Sequence, residues 1–457
     1  MPHRLTLAQM GVLIREGKLS PAELLDAHLL QIQKHNPKLN AFAVELGKGF
    51  ISKRTQRTAP LHGIPVTLKD SFDVEGLPTL CGSQFRRHHR ACTDSTAARR
   101  LREAGAVLLG KTNCPEFLAN WETDNRITGR TNNPWDLNRT PGGSSGGESA
   151  AIASFCSAGG VGSDGGGSVR IPAHFCGISA LKPTPGRVPA AGHYPEICHP
   201  GGLLGVAGPM ARTVEDVRIL FKALAGHDPA DPFSAPVPIR ELVADPEAIG
   251  VMEQFLDDPV DPIMREAVRQ AAKLLAELGF VTDEFRPDGL EEARRTWWFF
   301  FGEIAAEFTR DFIAGQEDKT AWTGVELLNM VDPEQRLTGR QVVEQLAARD
   351  RMRATLFQQM ERFPVLLMPV CAVAAFPHRH RGWQVDGKQL GLLDIMAPVT
   401  PWNLLGMPAL VVPLKLTPEG LPVGIQLVAR PYEEELLLHI GAKLEEARGP
   451  FPSPPGY

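Results

Sequence analysis

The sequence predicts an α/β fold, and three observations carry that prediction. From about residue 60 to 235, short apolar runs such as Gly63–Leu68 alternate with helical stretches such as Ser95–Ala104. The segment Ala106–Asn113, AVLLGKTN, is an apolar run ending in a turn, as a buried strand feeding a functional loop does. The same texture returns after residue 361, where Pro401–Pro413 and Gly420–Arg430 read as loop–strand pairs. The chain has 457 residues, 43% hydrophobic and 22% charged, so it has ample material for a large core.

The elements follow in chain order. Leu7, Met10, Leu13 and Ile14 recur at helical spacing, and a second helix starts at Ser20. That serine is an N-cap, with Pro21 at the first helical position and Glu23 at the reciprocal capping-box position. Leu24, Leu25, His28, Leu29 and Ile32 give this helix one mostly apolar face. Residues 236–360 carry more charge, fewer glycines and long helical periods, with an apolar knot at Trp297–Phe301. The run Val365–Phe376 contains Pro369, is too short to span a bilayer and reads as a buried strand. The organisation expected is one domain over 1–457. Its core is 60–235, its helical insertion over the site is 236–360, and 361–457 returns to the core sheet. A two-domain division is the weaker alternative.

The net charge of −5 argues against a nucleic-acid binder that works by neutralising phosphates. The seven cysteines are Cys81, Cys92, Cys114, Cys156, Cys176, Cys198 and Cys371. They are odd in number and lack CxxC or Cys/His metal spacing, which suits reduced thiols in a cytoplasmic protein. The first twenty residues have no long apolar stretch, so no signal peptide is expected, and no membrane partner.

The chemistry concentrates in Arg139–Pro183. Two serine-centred, glycine-crowded loops, Gly142–Gly147 and Gly165–Ser168, flank a short apolar run, and Lys69 stands upstream in LHGIPVTLKDSFDV. Glycines crowd a serine when the backbone must approach something closely or adopt positive φ. A serine so placed, with lysine as base, suits a hydrolase that needs no histidine. Consecutive glycines also let several N–H groups converge on a developing oxyanion. On this reading Ser168 is the nucleophile, Lys69 a neutral base, and Ser144 or Ser145 the bridge between them.

These motifs resemble the amidase signature family. The pieces that match are GGSSGG, the serine loop 24 positions after Ser144, GIPVTLKD, EAGAVLLGKTN, TNNPWD, CGISALKPTPGRVP, TPWNLLGMPAL and GLPVGIQ. The match is strong over roughly 60–220, clear over 395–435 and weak across the insertion. The resemblance implies an α/β/α sandwich whose large central mixed sheet has about ten strands. It also implies a Ser–Ser–Lys triad in which Ser168 is the nucleophile and Lys69 the base. Ser144 is the bridge, which family members hold on a cis peptide. The oxyanion donors would be the N–H groups of Gly165, Gly166, Gly167 and Ser168. Ser145 would stand beside Ser144, with Asp164 and Arg170 bracing the loop. The pocket would involve Leu118, Ala119, Asn120 and Trp121, which follow the GKTN loop. Gly165 departs from the Ile or Thr common in the family and is expected to loosen the loop slightly. Ser163 stands where Thr is frequent.

The activity implied is hydrolysis of a small-molecule carboxylic amide, extending to esters, anilides or carbamates. No metal or organic cofactor is implied, and a homodimer is left open. The alternative is the glutaminase component of a tRNA-dependent amidotransferase complex. RIPAHFCG after Ser168, in place of the RQPA typical of that component, argues against it.

Other readings are weaker. GGSSG also fits a nucleophile elbow, but that needs a strand immediately before it, and 132–141 holds two prolines and no strand period. A phosphate loop would want Lys then Ser or Thr after the glycines, and Glu148 would repel phosphate. His62 and His174 near the motifs read as packing or surface residues, and Cys176 as core. Trp297–Phe301 reads as a buried helix face, with an acyl or aryl pocket as the second reading.

Overall fold

A computed structural model describes residues 1–47, 58–197, 203–240 and 245–457; Cys198 lies outside them. The strands are β1 (Phe42–Glu45), β2 (Pro65–Lys69), β3 (Val107–Thr112), β4 (Gly159–Asp164), β5 (Ser179–Lys182), β6 (Val206–Ala211), β7 (Ile249–Val251), β8 (Thr282–Glu284), β9 (Val365–Pro369), β10 (Trp383–Val385), β11 (Lys388–Leu390), β12 (Ala409–Leu416) and β13 (Pro422–Ala429). Eleven of them form one mixed sheet in the order β1-β3-β2-β4-β6-β5-β12-β13-β9-β7-β8, and β10 and β11 form a separate hairpin.

The main sheet is parallel at β3-β2-β4, antiparallel from β4 through β9, and parallel again at β9-β7-β8. Strands β2 to β6, β9 and β13 are buried at every residue. Such strands need cover on both faces. One layer holds the helices Val214–Leu224 and Glu434–Arg448, which pack on each other and on β6 and β12. The other holds Gly146–Ala153 and Arg170–Cys176. The alternation along β12 separates them. Leu410 and Val412 meet Gly441 of the first layer, while Gly424, beside Val411, meets His174 of the second.

The N-terminal helices are Leu7–Arg15 and Pro21–Leu39. The capping box forms as read: Glu23 N–H donates to Ser20 Oγ at 3.1 Å, and Ser20 N–H donates to Glu23 Oε2 at 2.9 Å.

The structure differs from the expectation in three places. The segment 236–360 is not helical throughout. Its short runs Ile249–Val251 and Thr282–Glu284 extend the main sheet beyond β9, which brings it to eleven strands. Three residues are too few to show a period against the long helices around them. In AVLLGKTN the strand continues through Lys111 and Thr112, because Lys111 is buried against Asp70 rather than turned to solvent. In Pro401–Pro413 a short helix, Thr400–Leu404, precedes β12. Among the described residues the six cysteines are free thiols, and no helix is long and apolar enough to cross a membrane.

Candidate active site

Two neighbouring parallel strands bring the chemistry together. Lys69 is the last residue of β2 and Asp164 the last of β4, so the chain leaving β4 turns beside the lysine. Clefts at the carboxyl ends of parallel strands are where open α/β sheets bind ligands. The glycine loop after β4 carries Ser168 and then enters the helix Arg170–Cys176. No strand lies between Thr112 and the GGSSG loop, which leads straight into the helix Gly146–Ala153; a nucleophile elbow is thereby ruled out.

Lys69 Nζ lies 2.6 Å from Ser144 Oγ and 3.1 Å from Ser163 Oγ. The Gly143–Ser144 peptide is cis. Ser144 and Ser168 line the same cavity, of about 360 Å³. Ser145 does not reach the lysine. Its N–H donates to the Ser168 carbonyl at 3.1 Å and its hydroxyl donates to the Ser163 carbonyl at 3.3 Å, lacing the two serine loops together.

The glycine loop is gripped from two sides. From below, Asp164 takes the Gly167 N–H at 2.7 Å and the Val169 N–H at 3.1 Å, and pairs in bidentate fashion with Arg170 at 3.0 Å on both oxygens. Arg170 also donates to the Val399 carbonyl, to Gln426 and to Asn403. From behind, two indoles donate to loop carbonyls: Trp297 to Gly165 and Trp121 to Gly166, each at 2.9 Å. The loop is therefore clamped rather than loosened at Gly165, where the Phe301 ring fills the space beside the glycine. Gly166 has no room for a side chain, since a Cβ would sit 2.4 Å from Trp297. Gly167 has φ +104° and a Cβ there would meet Val399 at 2.5 Å. Gly167 departs from expectation as a donor: its N–H is turned to Asp164, not left for a ligand.

The Asp164–Arg170 pair is wholly buried. Replacing Arg170 by Met leaves a buried carboxylate unpaired. Urea titration is expected to read a stability loss of about 3–5 kcal/mol; a variant as stable as the wild type contradicts this bracing role.

Burial pushes the Lys69 amine down to about 8, against the opposite pull of Cys114, Cys81, Asp164 and Glu148. Burial likewise pushes Glu148 up to about 7, although the Thr112 and Thr67 hydroxyls donate to it. Burial would raise Asp164 too, but the Arg170 guanidinium overrides it and holds the carboxyl below the usual range. His174 is buried in the core. It accepts from Gly424 N–H at 2.8 Å and faces the Val373 carbonyl, so packing is its role. His62 is half-buried and absent from the cavity wall.

Of the four pocket candidates, Leu118 and Ala119 line the cavity and two do not. Asn120 turns away to donate to the Thr323 carbonyl and Glu326, and Trp121 is spent on the Gly166 carbonyl. The aromatic knot divides: Trp297 is buried behind the loop, while Phe300 and Phe301 line the cavity. Sequence reasoning missed Ser163 as a partner of Lys69, Asn403 and Gln426 as partners of Arg170, and His193 as a wall residue. Asn403 and Gln426 sit inside TPWNLLGMPAL and GLPVGIQ, so the signal was present without its partner. For Ser163 the signal was the hydroxyl kept where Thr is frequent; His193 carried none.

A buried lysine beside two serines, under a clamped glycine loop, is equipment for acyl transfer to a hydroxyl. The family model for Amidase matches residues 23–438. The chain is 33% identical to one component of the Glutamyl-tRNA(Gln) amidotransferase of Acidothermus cellulolyticus, over 97% of this chain and 94% of that one. It is also 33% identical to an indoleacetamide hydrolase of Bradyrhizobium diazoefficiens, over 95% and 85%. The solved structure of 6-aminohexanoate cyclic dimer hydrolase complexed with substrate superposes with a TM-score of 0.87 at 29% identity, over 100% and 99% of the two chains. With the fold, the family match and these relatives in agreement, the chain belongs to the amidase family and is an amide-hydrolysing enzyme.

Proposed function

We propose that this chain cleaves the C–N bond of small, uncharged carboxylic amides through an acyl-enzyme on Ser168. The observation that carries the reading is the 2.6 Å contact of Lys69 Nζ with Ser144 Oγ, with Ser144 and Ser168 on one cavity wall. Ser168 attacks the carbonyl carbon. Its proton passes to Ser144, whose own proton passes to neutral Lys69. The relay then returns a proton to the leaving nitrogen, the C–N bond breaks, and water attacks the acyl-enzyme by the reverse route. The N–H groups of Gly165, Gly166 and Ser168 receive the oxyanion, Gly167 being held by Asp164.

The tie from Trp297 fixes the Gly165–Gly166 peptide, so the Gly166 N–H points away from the indole. Trp297→Phe keeps an aromatic ring in place and removes the donor along with the pyrrole half of the indole. It is expected to lower kcat about 10- to 100-fold with KM changed less than about twofold, because the loss falls on the transition state. Equal kcat in steady-state assays contradicts this.

The amidotransferase reading keeps its support from the curated relatives. Against it, no Lys or Arg among the described residues lines the cavity. An amino-acid donor brings a carboxylate, and a carboxylate needs a cation or a set of donors. The test is to assay the purified chain alone against an acyl anilide and against glutamine. Turnover of the anilide is expected; glutaminase activity that needs partner chains, with no anilide turnover, overturns the proposal.

A further inference from the structure

We propose that the substrate carries an extended apolar chain, and that this chain runs out of the cavity along an aromatic stripe on the insertion. The inference rests on the acyl-enzyme reading above and adds the class of substrate.

The stripe starts at the glycine loop. Phe301 is stacked on Trp297 with ring centres 4.7 Å apart and lies against Gly165. Ala305 and Phe308 continue the cavity wall along the helix Ala305–Ile313. Phe312 is one turn beyond Phe308 on the same helix face. It packs edge-on against Phe117, a cavity-lining residue, at 5.7 Å, and against Phe85 at 5.2 Å. From Ala305 to Phe312 the helix rises about 10 Å, close to the length of an extended octanoyl chain.

The outer half of this stripe is uncovered. Phe308 is 68% exposed and Phe312 52% exposed, in a chain that buries most of its phenylalanines. Contiguous exposed aromatics that continue a cavity are a binding surface more than a solvent face. Continuity identifies the occupant. The inner end of the stripe touches the loop that carries Ser168, so a chain attached to the reacting carbonyl lies on it from the first atom outward. The chemistry of the wall sets the charge. No Lys or Arg lines it among the described residues, and Asp164, at its inner end, is already paired with Arg170. A terminal carboxylate on the chain is therefore disfavoured.

The test is a series of acyl p-nitroanilides, from acetyl through butyryl and hexanoyl to octanoyl. kcat/KM is expected to climb by up to about fourfold for each added methylene that the stripe buries. The octanoyl-to-acetyl ratio is expected to collapse at least tenfold in Phe308→Ser/Phe312→Ser. Phe312 packs on Phe117 and Phe85, so the denaturation midpoint of the double variant is measured beside its rates and is expected to stay close to that of the wild type. Val343→Ser, at an equally exposed apolar residue outside the cavity, is expected to keep the wild-type ratio. The suberoyl anilide, of the same length with a terminal carboxylate, is expected to fall below octanoyl. A flat wild-type series overturns the inference, and so does a ratio unchanged in the double variant. So does an altered oligomeric state in that variant with its ratio intact, which makes the stripe an interface between copies. Failure of the underlying reading is separate: it appears as acetyl anilide turnover that survives Ser168→Ala.

Discussion

Ser168→Ala is expected to lower hydrolysis of acyl anilides by at least about 10⁴-fold while leaving the fold intact. The Ser168 contact that holds the two serine loops together runs through its backbone carbonyl, which accepts the Ser145 N–H. Removing Oγ leaves that bond in place, so the denaturation midpoint should move little. Rate and stability then separate: steady-state turnover disappears and the unfolding curve does not. Substantial residual turnover in a folded variant assigns the nucleophile to another residue.

Lys69→Met is expected to cost roughly 10⁴-fold in kcat/KM, because the variant keeps the volume of the side chain and loses the proton acceptor. The wild type should also report the lysine through pH. The active form is the neutral amine, and burial sets its pKa at about 8. The neutral fraction is about one tenth at pH 7 and about nine tenths at pH 9, so kcat/KM should rise roughly tenfold between them. A profile flat across that range removes the lysine as base.

Glu148 offers a control on this limb. Its ionised carboxylate pulls the lysine upward and its titration falls at about 7. Glu148→Gln removes that negative charge, so the rise in kcat/KM should move to lower pH. A limb that stays in place or moves to higher pH contradicts the coupling.

The elements with strong local signals were legible in the sequence. Ser20 and Glu23 specify their helix start because both partners of the cap lie within one turn. The crowding at Gly166 and Gly167 was legible, since glycines there mark a backbone that has no space for a Cβ; the residues alone left Ser144 or Ser145 beside Lys69, and it is Ser144 that lies 2.6 Å from the amine. The three-residue strands β7 and β8 were not, because a run that short has no period of its own and is stabilised by pairing with β9. The direction of Trp121 was not legible either. An indole after an active-site loop reads equally as a pocket wall or as a donor, and its partner, the Gly166 carbonyl, is 45 residues away.

The sequence alone therefore determined the class of chemistry. Hydroxyl, amine and glycine identities are local properties that can be read without knowing what they pack against. Tertiary structure decided which N–H groups remain available to a ligand, since Asp164 takes that of Gly167 and two tryptophans hold the carbonyls behind the loop. It also decided what the site can hold. The cavity wall is assembled from segments as distant as Phe117 and Phe308, and only tertiary packing brings them to one surface.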